Sequence, residues 1–301
     1  MSAPQPYDAA PPLARDPDRH ASVFGLSLGG WHRIAYTDWG PLDDRTPIVC
    51  VPGLSRQGRD FDFLAEELAR RGRRVVCPDL PGRGRSSRLL SALQYVFPQH
   101  CADLTTVTYA TGARRIDWVG TSLGGLIGIA LAGMPGNRIR RLVVNDIGPS
   151  VPHAAEVRIG ERLGQMPERF KTFEEALAFF RSAFADYGAM DDIRWHHIAR
   201  HSIEWSKQDG VFKLLYDRSI TTAYHLYRYY STSLWPFWRN IQVPILIVVG
   251  ERSNVLPLEL AKEMQRQNPR ARCLTVPDVG HMPMLMQSDQ IDPVVQFLME
   301  P

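Results

Sequence analysis

The 301-residue chain is 44% hydrophobic and 22% charged, a balance that excludes disorder as its general state and allows a large core. Its 35 Lys+Arg and 32 Asp+Glu leave a formal net charge of +3, scattered along the chain, which excludes a dedicated nucleic-acid surface. No apolar stretch of signal-peptide length opens the sequence and none later reaches the length of a membrane span, so it reads as a cytoplasmic protein with a flexible tail over 1–21.

After that tail, residues 22–28 and 33–39, separated by Gly29 and Gly30, predict an antiparallel hairpin. The runs 47–51, 74–77, 115–119 and 139–145 are apolar on both faces, as strands of a parallel sheet covered on each side must be. Between them, 60–71, 92–110 and 122–132 are long enough for crossover helices. The basic run Arg70 to Arg74, broken by Gly72, falls where the first of these helices should end, and cations there suit the helix dipole better than they suggest a phosphate site.

From 150 to 239 the texture changes to helix-compatible stretches rich in His and Tyr, with Trp195, Trp205, Trp235 and Trp238 and no predicted buried strand. Strands resume at 243–249 and 272–276, with helices at 258–267 and 290–299. The expected architecture is α/β: a mostly parallel central sheet with helices on both faces, built from 22–149 and 240–301 and split by a helical insertion at 150–239. Cys50, Cys77, Cys101 and Cys273 have neither metal-ligand nor disulfide-framework spacing and are expected to be free thiols. His197 and His201 share a helical face, but with no third ligand or intervening glutamate no metal site is expected.

Gly120-Thr121-Ser122-Leu123-Gly124 is a GxSxG sequence between a predicted strand and a predicted helix. Such a turn is sharp, its glycines leave room for it, and its serine hydroxyl projects into a cleft at a helix N-terminus whose N–H groups suit a developing oxyanion. A serine hydroxyl needs a base. His281, in Asp278-Val279-Gly280-His281-Met282-Pro283 between the last strand and the last helix, emerges at the same carboxyl edge and is the best of nine histidines.

These features resemble the α/β-hydrolase family over nearly the whole chain from residue 22. Pro52-Gly53-Leu54 resembles the family's oxyanion loop, which implies that the backbone N–H groups of Leu54 and Leu123 hold the oxyanion; Pro52 stands where many relatives carry histidine, without loss of the backbone donors. The run Asp79 to Ser86 resembles a structural turn of the family, and 150–239 its cap over the active site. The third triad member departs from the pattern. Where most relatives carry an aspartate, this chain has Ser253 and Asn254, and an amide cannot stabilise imidazolium as a carboxylate does. Asp146, at the end of the strand before the insertion, resembles the arrangement of relatives that take their acid from that earlier strand, with Ser253 assisting; Glu251 is a weaker candidate, and Asn254 replacing the acid would leave a crippled enzyme.

The resemblance implies two-step acyl transfer on a small-molecule ester, with no metal and no organic cofactor. Carbon–carbon bond hydrolysis or a lyase reaction with the same triad, or a non-catalytic ligand receptor, remain alternatives. Carboxylate-nucleophile relatives such as epoxide hydrolases and haloalkane dehalogenases are disfavoured by the serine at 122. Tyr224, Tyr227, Tyr229, Tyr230 and Trp235 are candidates for an apolar pocket or for packing the insertion. Arg56 and Arg59 are candidates for a substrate carboxylate, with an Arg59–Asp60 surface pair as the plainer reading. Oligomeric state is left open.

Overall fold

The runs apolar on both faces do become the interior strands of one sheet in the computed structural model, which describes residues 15–227 and 233–301. In chain order the first strands are β1 (Arg19–Ser27), β2 (Gly30–Trp39), β3 (Ile48–Val51), β4 (Val75–Pro78), β5 (Ile116–Thr121) and β6 (Ile139–Asn145). Every residue of β3, β4 and β5 is buried, and the one charged residue among them, Asp117, is paired with Arg73 and Arg140. The hairpin starts at Arg19 rather than at residue 22, because Arg19 pairs with Asp38 through charge, which an apolar pattern does not reveal. Residues 1–14 of the expected tail lie outside the described residues.

Three helices connect these strands: α1 (Asp62–Arg70), α2 (Phe97–Ala110) and α3 (Leu123–Gly133). The helix expected over 92–110 is divided into a 3-10 turn, Ala92–Gln94, and α2, with Pro98 in the first turn of α2. Proline at that position lacks an N–H that would be unpaired anyway and favours a fresh start there.

Between β6 and the return to the sheet come α4 (His153–Gly164), β7 (Arg169–Phe170), α5 (Phe173–Ala183), α6 (Asp192–Ser202), β8 (Ile203–Ser206), β9 (Val211–Leu214), α7 (Ser219–Tyr227) and α8 (Trp235–Asn240). This segment is not the helical insertion expected over 150–239, because it also carries a three-stranded antiparallel sheet in the order β7-β9-β8. Its strands are too short for period-2 alternation to stand out from helical background. The segment has its own core around Phe170, Phe180, Phe184, Trp195 and Phe212, closed by Met282 and Met284 from the loop after the last strand. Its final helix belongs elsewhere. Trp238 is fully buried in the main core, and α8 lies so close to α3 that a Cβ on Gly133 would sit 2.4 Å from the Phe237 carbonyl oxygen.

The chain then adds β10 (Ile245–Gly250), α9 (Leu258–Gln267), β11 (Ala271–Val276) and α10 (Ser288–Met299). The sheet order is β1-β2-β4-β3-β5-β6-β10-β11, antiparallel at β1-β2 and β2-β4 and parallel in the other pairs. Leu64, Leu68, Val294 and Leu298 from α1 and α10 cover one face, while Leu104, Ile127, Ile129 and Met264 from α2, α3 and α9 cover the other. Burying each such side chain contributes about 1.5–3 kcal/mol.

The basic run divides its partners. Arg70 and Arg71 pair with Glu67 on α1, each at 2.9 Å, but Arg73 reaches Asp44 and Asp117 and Arg74 reaches Asp38, so the run is a set of separate ion pairs. All four cysteines are free, with Cys50 and Cys77 buried. Among the described residues no helix is long and apolar enough to cross a membrane.

Candidate active site

Ser122 is the single residue between β5 and α3, with φ 50° and ψ −113°. That left-handed backbone turns the chain from strand to helix in one step and aims the hydroxyl away from both. The flanking glycines are required by contact, since a Cβ on Gly120 would lie 2.2 Å from the Gly124 carbonyl oxygen and one on Gly124 would lie 2.2 Å from that of Val51. The Ser122 N–H donates to the Asn145 carbonyl at 2.9 Å, tying the turn to the end of β6.

The loop after β11 carries His281 to this turn. Its Nε2 lies 3.1 Å from Ser122 Oγ and its Nδ1 lies 2.7 Å from Asp146 Oδ2. Asp146 is fully buried at φ 55° just past β6; its Oδ1 accepts the Gly250 N–H at 2.9 Å and its Oδ2 also accepts the Ser253 hydroxyl at 2.7 Å. Ser253 in turn accepts the N–H groups of Val255 and Leu256, so it serves both the turn and the carboxylate. Asn254 is exposed on that turn and takes no part in this chain of bonds. Glu251 is exposed too and accepts from the Asp278 N–H at 3.1 Å, away from the imidazole.

Gly53 passes directly over the serine, where an added Cβ would be 3.5 Å from Ser122 Cβ. Leu54 and Leu123 both line the cavity with Ser122, and among the described residues neither of their backbone N–H groups has a hydrogen-bond acceptor. Asn145 was not foreseen from the sequence. It is fully buried, and its side-chain amide donates to Thr121 Oγ1 at 3.0 Å and to the Pro283 carbonyl at 2.8 Å, linking the serine turn to the histidine loop. No local pattern marks such a residue.

Ser122 and His281 open into a cavity of about 700 Å³, walled mainly by apolar side chains such as Phe97, Leu126, Ile147, Ile159 and Phe184. Tyr224 lines it with its hydroxyl bonded to the Glu156 carbonyl, whereas Trp235 packs against the main core. Tyr229 and Tyr230 lie outside the described residues, as does the side chain of Tyr227.

Arg56 also lines the cavity, but its charge is spent: Nε and Nη2 bond the two oxygens of Asp60 at 2.7 and 2.6 Å, and it stacks on Phe180 and Phe184. Arg59 pairs with buried Asp62 and not with Asp60, so the expected surface pair is replaced by two internal ones. The run Asp79 to Ser86 is a tight turn around Asp79, whose carboxylate accepts the N–H groups of Gly58 and Arg85, each at 2.8 Å. One member of that turn, Arg83, is 1% exposed and lines the cavity, which its place in a structural motif concealed.

Asp62 supplies the third ligand type that the sequence lacked beside His197 and His201; their candidate donor atoms all lie within 4.8 Å of one another. Two of its donor atoms, Asp62 Oδ2 and His197 Nε2, already have protein partners. Arg59 holds the Asp62 carboxylate and its carbonyl takes His197 Nε2 at 2.8 Å, and burial draws His197 down to about 4.

The family model of the alpha/beta hydrolase fold matches residues 46–286. A 3-hydroxybutyrate-oligomer hydrolase of Cupriavidus necator is 38% identical over 282 residues, covering 90% of this chain and 94% of that protein. Among solved structures, a hydrolase from Rickettsia typhi described as putative superposes with a TM-score of 0.85 at 25% identity, over 93% of this chain and 98% of that one. An alpha/beta hydrolase from Novosphingobium aromaticivorans gives 0.81 at 29% identity over the same shares.

Proposed function

The chain belongs to the α/β-hydrolase family and acts on ester bonds, and from that premise we propose that it is a serine esterase using Ser122, His281 and Asp146. The observation that carries this reading is the continuous bonded path from Ser122 Oγ through the imidazole to a fully buried carboxylate, at 3.1 and 2.7 Å, opening on an apolar cavity. Ser122 attacks the ester carbonyl while His281 Nε2 takes the hydroxyl proton; Asp146 holds Nδ1–H and offsets the imidazolium charge. The N–H groups of Leu54 and Leu123 receive the oxyanion. Nε2 then gives its proton to the departing alkoxide oxygen, leaving an acyl-enzyme, and the same nitrogen deprotonates the water that releases the acid. The scheme uses no metal or organic cofactor.

Residues 150–234 act as the cap over this site. The relative's activity, together with a cavity of the size that holds a small organic ligand, supports short oligoesters of hydroxy acids as substrates. Ser122→Ala should lose covalent labelling by a fluorophosphonate probe and at least about 10³-fold in ester turnover; a variant that keeps both would defeat the assignment.

A further inference from the structure

Two buried nitrogens of residues lining the cavity have no protein partner. Arg83 gives Nε to the Leu54 carbonyl at 2.8 Å and Nη1 to the Pro81 carbonyl at 2.6 Å, but its Nη2 is buried and unpaired. His100, 3% exposed, leaves its Nδ1 in the same condition. Both residues line the cavity that holds Ser122 and His281. Buried polar nitrogens are nearly always bonded, so an unpaired guanidinium nitrogen on a residue that lines the cavity calls for an oxygen acceptor, and the unpaired nitrogen of neutral His100 joins it as a donor in one tautomer.

Charge sharpens the requirement. Among the described residues no carboxylate lies within 4.0 Å of Arg83, in contrast to Arg56 on the same cavity, which Asp60 neutralises. Asp217 is the acidic group whose field reaches Arg83, and it spends Oδ2 on the Tyr95 hydroxyl at 2.7 Å and Oδ1 on the Ser219 N–H at 3.0 Å. Burial draws Arg83 down to about 10, which still leaves it cationic at neutral pH. The same burial, with Arg83 beside it, holds His100 well below the usual histidine range, so that imidazole is neutral. The guanidinium is held firmly: its turn pairs with the inserted segment through an Arg83–Tyr216 bridge and through the Asp217 N–H on the Gly82 carbonyl at 2.8 Å.

The geometry points to Arg83, with His100 beside it, as the seat of a free carboxylate on the substrate, carried on the alcohol side of the ester that is cut. This rests on the serine-esterase reading above. Arg83 grips the carbonyl of Leu54, the residue whose N–H is assigned to the oxyanion, so the charge stands one peptide from the reacting carbonyl. An oligoester of a short hydroxy acid ends in a carboxylate only a few bonds from its last ester group. An arginine that receives that end selects the terminal ester and releases one hydroxy acid per cut.

The experiment compares a 3-hydroxybutyrate dimer with its methyl ester. The wild-type kcat/KM should favour the free acid, and Arg83→Met should reduce the acid-to-methyl-ester ratio by about 10- to 100-fold, the range of a charge-assisted bond. Arg83→Lys should retain most of the preference. A parallel fall for both substrates in Arg83→Met would mean that Arg83 only positions the Leu54 loop, and would overturn the inference. Should that variant not fold, the wild type decides: free 3-hydroxybutyrate should inhibit turnover of a neutral ester competitively and at least tenfold better than its amide, and equal inhibition would overturn the inference. Wild-type enzyme that cuts both dimers equally sinks the arginine assignment alone, whereas enzyme that cuts no ester at all sinks the esterase reading beneath it.

Discussion

His281 Nδ1 meets Asp146 Oδ2 at 2.7 Å across 135 positions of sequence, and the same oxygen takes the Ser253 hydroxyl at 2.7 Å. The carboxylate thus comes from the strand before the insertion, while the loop after β10 supplies a hydroxyl in place of an acid.

That division makes opposite predictions for one acid, Asp146, and one amide, Asn254. Asp146→Asn should lower kcat by roughly 10³- to 10⁴-fold, because an amide cannot hold the required tautomer or balance imidazolium. Asn254→Asp should change it by less than about twofold, since an exposed charge acts weakly at this range. Steady-state ester hydrolysis by the two variants checks the assignment, and a large gain in Asn254→Asp with a harmless Asp146→Asn would reverse it.

The serine turn tolerates no side chain at Gly124. Gly124→Ala should destabilise by about 3 kcal/mol through contact with the Val51 backbone. Gly164→Ala, at the end of α4 with nothing within 4 Å of an added Cβ, should instead be neutral or stabilise by up to about 1 kcal/mol. Urea unfolding of the two variants measures the difference.

Asp60→Ala should cost about 3–5 kcal/mol, because it strands the buried Arg56 guanidinium. Replacing both together, Arg56→Met with Asp60→Leu, should recover most of that loss. Failure of the double variant to recover would show that Arg56 matters for more than its partner.

The buried histidines should contribute stability that rises between about pH 4 and 6.5. Burial draws His197 down to about 4 and holds His100 and His201 well below the usual range, so in this window the unfolded chain binds protons that the folded one refuses. Stability from these groups is therefore full above the unfolded value of 6.5 and lost as pH falls. Asp62, pushed up to about 7 by burial against the pull of Arg59, works the other way, as do Asp79 and Asp103, which burial also raises, so the histidine contribution is read as a difference between variants. Thermal melts across the window should show that His201→Gln loses less stability than the wild type as pH falls, and an equal loss in both would refute the assignment.

The order of residues alone determined the sheet's interior strands, the serine turn and the approach of the histidine loop. Each rests on a local rule: two-faced apolar runs must be buried, and a strand-to-helix bend of one residue needs small neighbours. Even the carboxylate that lies beside His281 was within reach, because Asp146 ends a strand whose direction is readable. Only the tertiary structure decided the rest. The short strands of 169–214 gain stability from packing on one another and on the segment's aromatic core, which no window of four residues encodes. The roles of Arg56, Arg59, Arg83 and Asn145 depend on which carboxylate or carbonyl stands within about 3 Å, and long-range contacts set that distance where spacing along the chain cannot.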